Sequence, residues 1–567
     1  MRREVIAIVG VTIDRHEPSQ LVLRGRGVTV EEWQRRRHLC VRVSRNDSKS
    51  PTSGSETMLD SSRQHTWGAT RDNHDVLGNF PLLCRSTRGS SIVTSAPGTV
   101  TALAAAIRAR RISATAVVTA SIQRLENAAD VNVLAEETFD EALQRAHLID
   151  NDGSLQGVLL GVPTLIKDLE DLAGHPTRKG SLALRDVGPA MSNGVVSSRL
   201  LQAGAVVIGK STLPEFAIEG YTANLLTGIT RNPWNLDYSP GGSSGGSGAG
   251  LAAGLVGVAT GTDGGGSVRI PSSLCGLVGL KPTNGAVGRW PAPDWMDYST
   301  DGPMATSCDD LRLIFDVMRG PVGGDPTSPP VVLESQLASH QDRPIRIFAA
   351  ERTSPFGPLS RGVEGLFHEA VDAFADLFNA PVTWLEAEGF FVAGDPDLDW
   401  YLVTSAEHVA SLGRQWVIEH MDEFHVATQE YFAKGLNVSI DEYLAARRRR
   451  YLYVRRMDEL LIPNGVLLTP SVTVDGWLAD GRTHADGEVH GLAPEIFATV
   501  LQNTTGNPAV SIPFGLLPSG LPFGLQVTAE HYHDDRLLDI ATLMEAAYPW
   551  VRTAPGYEGL ETVLDLV

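Results

Sequence analysis

The chain has 567 residues, 42% of them hydrophobic and 20% charged, with a net charge of −20. Such a composition supports a soluble globular chain with a large core, and so acidic a balance argues against nucleic acid or an anionic membrane as the main partner. No apolar run approaches the roughly 18 residues of a membrane span, and the length fits one large α/β enzyme or more than one domain.

The opening MRREVIAIVGVTID joins basic residues to a short apolar run. Asp14 interrupts it and no small-residue cleavage site follows, so it reads as a poor secretory signal. Residues 1–95 carry 15 Lys/Arg and 10 Asp/Glu, net +5, which leaves −25 for the remainder. Ser44–Gly98 is rich in Ser, Thr, Asn, Arg and Gly without hydrophobic periodicity, which predicts that 1–95 is a disordered, low-complexity extension ahead of a domain at 96–567. The basic run Arg35–His38 reads as a solvated segment rather than a nucleic-acid patch.

From Thr99 the pattern changes. TVTALAAAIRARRIS and ATAVVTASIQRLEN place apolar residues at helical spacing and predict two amphipathic helices. Leu155–Lys167 and Ala205–Ile208 read as core strands, with Val195–Ala203 a helix between them. This alternation predicts an α/β fold, a mixed sheet sandwiched between helices. Residues 345–500 hold long helical patterns and many aromatics. Ser439 followed by Glu442 forms a capping box that opens a helix running to about Leu461. The arginine run Arg447–Arg450 reads as the solvated face of that helix, pairing with Asp and Glu. Gly465–Ser471 and Pro508–Gln526 return to the sheet, and there is no internal repeat. Cys40, Cys84, Cys275 and Cys308 have neither metal nor disulfide spacing, which points to a cytoplasmic compartment.

The stretch from Ser239 to Thr283 stands apart. Gly241, Gly242, Gly245 and Gly246 surround Ser243 and Ser244, and Gly264, Gly265 and Gly266 run into Ser267. Glycine runs serve positive φ or close backbone approach. Successive N–H groups ending at a serine form the geometry of an oxyanion hole beside a nucleophile. Gly250–Thr260 between the clusters reads as a buried helix followed by a tight loop.

Three pieces in order, GGSSGG (Gly241–Gly246), GTDGGGSVRIP (Gly261–Pro271) and GLKPT (Gly279–Thr283), together with GVPTLIKD at Gly161–Asp168, resemble the amidase signature family from about Ser95 onward. The resemblance implies the amidase-signature fold and an amide hydrolase. Ser267 would attack the carbonyl. Ser243, after a cis peptide bond from Gly242, would relay the proton, and Lys167 would be the terminal base. That role requires a neutral lysine, which burial supplies. Gly264, Gly265, Gly266 and Ser267 would form the oxyanion hole, with Ser244, Asp263 and Arg269 supporting it. The family usually carries a side chain at position 264, so glycine there predicts a looser loop. The implied chemistry uses no metal or organic cofactor. Its partner is a small-molecule amide, with no nucleic acid and no membrane, and family members are often homodimers.

Two other motifs compete. Gly204–Ser211 matches the phosphate-loop pattern GxxxxGK[ST], but AVVI inside the gap is a strand sequence and Pro214 follows closely. Gly242–Gly246 satisfies GxSxG around Ser244, yet no hydrophobic strand precedes it. Within the family, a glutamine-dependent amidotransferase component is the alternative to a free-standing amidase. Phe390, Phe391, Trp400, Tyr401, Trp416, Phe424, Tyr431 and Phe432 read mainly as helix-packing core, with a lesser reading as the wall of an apolar pocket for aliphatic or aryl acyl groups.

Overall fold

Eleven strands form one mixed sheet in the computed structural model, which describes residues 12–15, 21–24, 99–328, 344–354, 359–390, 394–490 and 498–566. In chain order they are β1 (Leu134–Glu137), β2 (Pro163–Lys167), β3 (Val206–Ser211), β4 (Val258–Asp263), β5 (Val278–Lys281) and β6 (Thr300–Ala305), then β7 (Arg346–Ala349), β8 (Val382–Trp384), β9 (Gly465–Pro470), β10 (Ala509–Leu516) and β11 (Pro522–Thr528). Across the sheet the order is β8-β7-β9-β11-β10-β5-β6-β4-β2-β3-β1. β4, β2 and β3 run parallel, as do β8, β7 and β9, and the middle of the sheet is antiparallel. Every residue of β2, β3, β4, β5, β6, β9 and β11 is buried, so both faces are covered by other elements.

The helices that matter here are α1 (Thr99–Arg108), α2 (Ala114–Asn127), α3 (Val195–Gln202), α4 (Gly245–Ala252), α5 (Arg269–Cys275), α6 (Pro396–Leu412), α7 (Val426–Asn437) and α8 (Ile440–Leu461). α1 and α2 stand where the sequence places them, and Ser113 caps α2 by accepting from the Ala116 amide. α6 starts on Asp395 with Pro396 at its first position. The capping box of α8 is present in both directions between Ser439 and Glu442.

Three expectations change. Leu155–Val162 is a chain of turns rather than strand. Gly161 lies at φ +75, and the amides of Leu159 and Gly161 bond to the carbonyls of Ala203 and Gly204 instead of joining a ladder. Between the glycine clusters, the helix starts inside the first cluster at Gly245 and a strand resumes at Val258. Its glycines serve contact: a Cβ on Gly246 would stand 2.3 Å from Thr212 Oγ1. The arginine run is also not one solvated face. Arg447 and Arg450 reach Asp297, and Arg449 reaches Asp399, all half-buried. Arg448 alone of the four is exposed.

Within the extension, Thr12–Arg15 and Leu21–Arg24 form an antiparallel pair. The rest of residues 1–95, with the basic run Arg35–His38, Cys40 and Cys84, lies outside the described residues. Cys275 and Cys308 are buried free thiols. Among the described residues, no helix is long and apolar enough to cross a membrane.

Candidate active site

The two glycine clusters and the GVPTLIKD segment converge on the ends of β2 and β4. These strands run parallel with Thr164 opposite Val258, which brings Lys167, at the end of β2, beside Thr260 and Thr262. The Lys167 amide bonds to Thr260 Oγ1 at 2.7 Å. Its side chain is fully buried, with Nζ 2.8 Å from Ser243 Oγ and 2.7 Å from Thr262 Oγ1. Among the described residues, no carboxylate is within hydrogen-bond reach. Burial therefore dominates and brings its pKa from 10.5 down to about 7, against the pull of Asp263 and Asp301 and with a push from Arg289. The Gly242–Ser243 bond is cis, and Ser243 lies just before α4.

The turn between β4 and α5 is built by one carboxylate. Asp263 accepts from the Gly266 amide at 2.9 Å, the Val268 amide at 3.2 Å and Arg269 at 2.8 and 3.0 Å. Burial works against that charge, and Arg269, Lys281 and the hydrogen bonds more than offset it, holding Asp263 at about 2. Arg269 is itself tied to Gln502, Asn503 and Gln526. Asp263 thus fixes the backbone so that Ser267 faces a cavity of about 520 Å³, which Ser243, Thr262 and Gly264 also line. The Gly266 N–H is taken by Asp263. Among the described residues, the N–H groups of Gly264, Gly265 and Ser267 meet no acceptor.

Ser244 is placed differently from its neighbour. Its hydroxyl bonds weakly to the Thr262 backbone on both sides, at 3.3 and 3.4 Å, and its amide bonds to the Ser267 carbonyl. It clips the two clusters together and does not line the cavity. No strand leads into it, so the geometry does not form a GxSxG elbow. The phosphate-loop match is equally occupied. Val206–Ser211 is strand β3, and Lys210 is buried against Asp168 at 2.8 Å, the Pro176 carbonyl and Thr177.

Gly264 and Gly265 are closely packed. A Cβ on Gly264 would lie 2.3 Å from the Trp295 ring, and one on Gly265 would lie 2.8 Å from Trp400. The Trp400 indole also donates to the Gly264 carbonyl at 2.7 Å. Trp295 fills the space that a side chain at 264 would take.

Of the aromatics singled out from the sequence, none of those described lines the cavity. Trp400, Phe424, Tyr431 and Phe432 belong to a buried cluster around α6 and α7, and Phe390 packs in another. Phe391 lies outside the described residues. Sequence reasoning missed the lining residues Phe216, Trp290, Trp295 and His408, together with Thr262 and the Arg289–Asp301 pair. Thr262 lies inside a recognised motif. The run RWPAPDW from Arg289 to Trp295, dense in aromatics and proline, is the signal that could have found its neighbours.

A family model described as Amidase matches residues 116–538. The chain belongs to the amidase family. Its likeness to individual amidase-family proteins runs over most of their length. A glutamyl-tRNA(Gln) amidotransferase component from Cyanothece sp. is 32% identical over 461 residues, covering 76% of this chain and 93% of that protein. The protein of Mycobacterium tuberculosis named as amidase AmiB2 is 32% identical over 435 residues, covering 74% and 89%. A bacterial aryl acylamidase of the amidase signature family superposes with a TM-score of 0.71 at 26% identity, covering 82% of this chain and 98% of that structure. The fold is that of the amidase signature enzymes, and the chain is a hydrolase of amide carbon–nitrogen bonds.

Proposed function

We propose that this amidase cleaves a small-molecule amide through an acyl-enzyme on Ser267. The observation that carries the reading is a lysine buried without a carboxylate, 2.8 Å from a serine beside a second serine in the same cavity. As an amine, Lys167 donates to Thr262 and accepts from Ser243. Ser267 Oγ attacks the carbonyl carbon as its proton passes to Ser243 and the Ser243 proton passes to Lys167. The oxyanion takes hydrogen bonds from the free N–H groups of Gly264, Gly265 and Ser267. Gly266 acts through shape rather than as a donor. When the C–N bond breaks, the relay runs backward and Ser243 gives the proton to the departing nitrogen. Water then attacks the ester by the same path, releasing the carboxylate and restoring Ser267.

Peptide mapping after treatment with a fluorophosphonate tests this. The adduct is expected on Ser267 and is expected to be lost in Lys167→Ala; an adduct on Ser244 would overturn the assignment.

The equal identity to an amidotransferase component favours a second reading, in which the same triad releases ammonia from glutamine for a partner. Glutamine turnover that appears only with co-purifying proteins would select it.

A further inference from the structure

One wall of the cavity is a continuous line of contacts leading away from the oxyanion turn. Trp295 abuts Gly264, and its indole Nε1 donates to His408 Nδ1 at 3.2 Å. His408 Nε2 is 3.6 Å from Asp294 Oδ2, and Asp294 holds Lys179 at 2.7 Å and Ser411 at 2.5 Å. All of these residues line the same cavity as Ser243 and Ser267.

The hydrogen-bond chemistry of this wall is fixed. An indole N–H only donates, so His408 Nδ1 must accept, and the proton of the neutral ring lies on Nε2. Burial pushes the ring's pKa down to about 4, so it is neutral at pH 7. The Nε2–H is buried and has no acceptor among the described residues, because 3.6 Å exceeds hydrogen-bond range. A buried donor left unmade is costly and calls for a partner. Beside it, the Asp294 carboxylate accepts only. The wall therefore offers one fixed donor next to one fixed acceptor, and Lys179 balances the acceptor's charge.

Resting on the acyl-enzyme reading, we propose that this wall is the acyl-recognition subsite. It takes an acyl group with an apolar stem, lying along Trp295 and Phe216, that ends in a group able both to accept and to donate. A primary carboxamide fits: its oxygen accepts from His408 Nε2–H and its N–H donates to Asp294. A methyl end leaves the His408 Nε2–H unpaired. A carboxylate end cannot donate and meets Asp294 with like charge. The substrate class is thus an aliphatic amide whose far end is a second amide or a hydroxyl.

The test is calorimetric binding of hexanamide, adipamide and adipamate to the full-length Ser267→Ala chain, alongside turnover by the unaltered enzyme. Adipamide is expected to bind at least tenfold more tightly than either of the others, and His408→Phe is expected to bring its advantage over hexanamide near one. Equal binding of hexanamide and adipamide, or tighter binding of adipamate, would overturn the subsite, whether or not His408→Phe folds. The two readings fail separately. Turnover without discrimination would remove the subsite and leave hydrolysis standing. Discrimination in binding with no turnover of any amide would remove the hydrolytic reading and leave the subsite.

Discussion

Two neighbouring strand ends carry the same residue in the same burial and use it in opposite ways. Lys167 ends β2 and Lys210 lies near the end of β3, and both side chains are fully buried. Lys210 meets the Asp168 carboxylate, a carbonyl and a hydroxyl, a set that balances an ammonium. Lys167 meets two hydroxyls. Asp168 follows Lys167 in the chain, yet it turns to the other strand. Burial alone therefore does not make a base. The base proposed here is the lysine that combines burial with the absence of a carboxylate close enough to hold the charge.

The sharpest way to break this comparison is Lys167→Met, which keeps the stem and removes the amine. Amide kcat/KM is expected to fall by about 10⁴-fold. In the unaltered enzyme kcat/KM is expected to rise with pH through about 7, because the base works only as an amine. Stability rises with pH as well. With a folded pKa of about 7 below the ordinary 10.5, the folded state bears the full cost of a buried ammonium below pH 7 and recovers as pH rises toward 10.5. Lys167→Met is therefore expected to raise the melting temperature most at pH 6, with the gain shrinking by pH 10. A variant less stable than the parent at pH 6 would contradict the account.

Asp168→Asn tests the other lysine. It takes away the carboxylate that balances buried Lys210 and is expected to cost about 3–5 kcal/mol in denaturant unfolding. The pH at which kcat/KM rises should stay near 7 in the protein that remains folded. Smaller again is Gly264→Ala, whose methyl would collide with Trp295 and shift the oxyanion turn. A displacement of this kind is expected to lower kcat by about 10²-fold, with partial recovery when Trp295→Leu is added. The smallest effect belongs to Ser244→Ala, which removes two long hydrogen bonds. About 1 kcal/mol of stability and a few-fold change in rate are expected. A loss matching that of Ser243→Ala would move the relay onto Ser244.

The contrast between the lysines also marks where the sequence was readable. GVPTLIKD and the glycine–serine clusters are local patterns in which each residue's neighbours in the chain are also its neighbours in space. Their convergence was legible, as were α1, α2, the capping box and the alternation of strands and helices. Contacts made across the chain were not. The reach of Arg447 and Arg450 to Asp297, about 150 residues away, turned an expected solvated face into an anchor for the loop that holds Trp295. Phe216 and His408 reach the cavity from segments with no motif of their own. The turns at Leu155–Val162 look like strand by composition, and only their pairing with Ala203 and Gly204 shows otherwise. The glycine at 264 made sense only once the indole occupying its side-chain space was visible.

On the proposed mechanism, the burial of Lys167 also separates the enzyme's working pH from its overall charge. A surface at −20 draws protons to its exposed groups, and added salt weakens that pull within a Debye length of about 10 Å at 0.1 M. The proton affinity of Lys167 is set mainly by the water it lacks. Raising the ionic strength should therefore move the titration of the surface and leave the acid limb of amide hydrolysis where it stands.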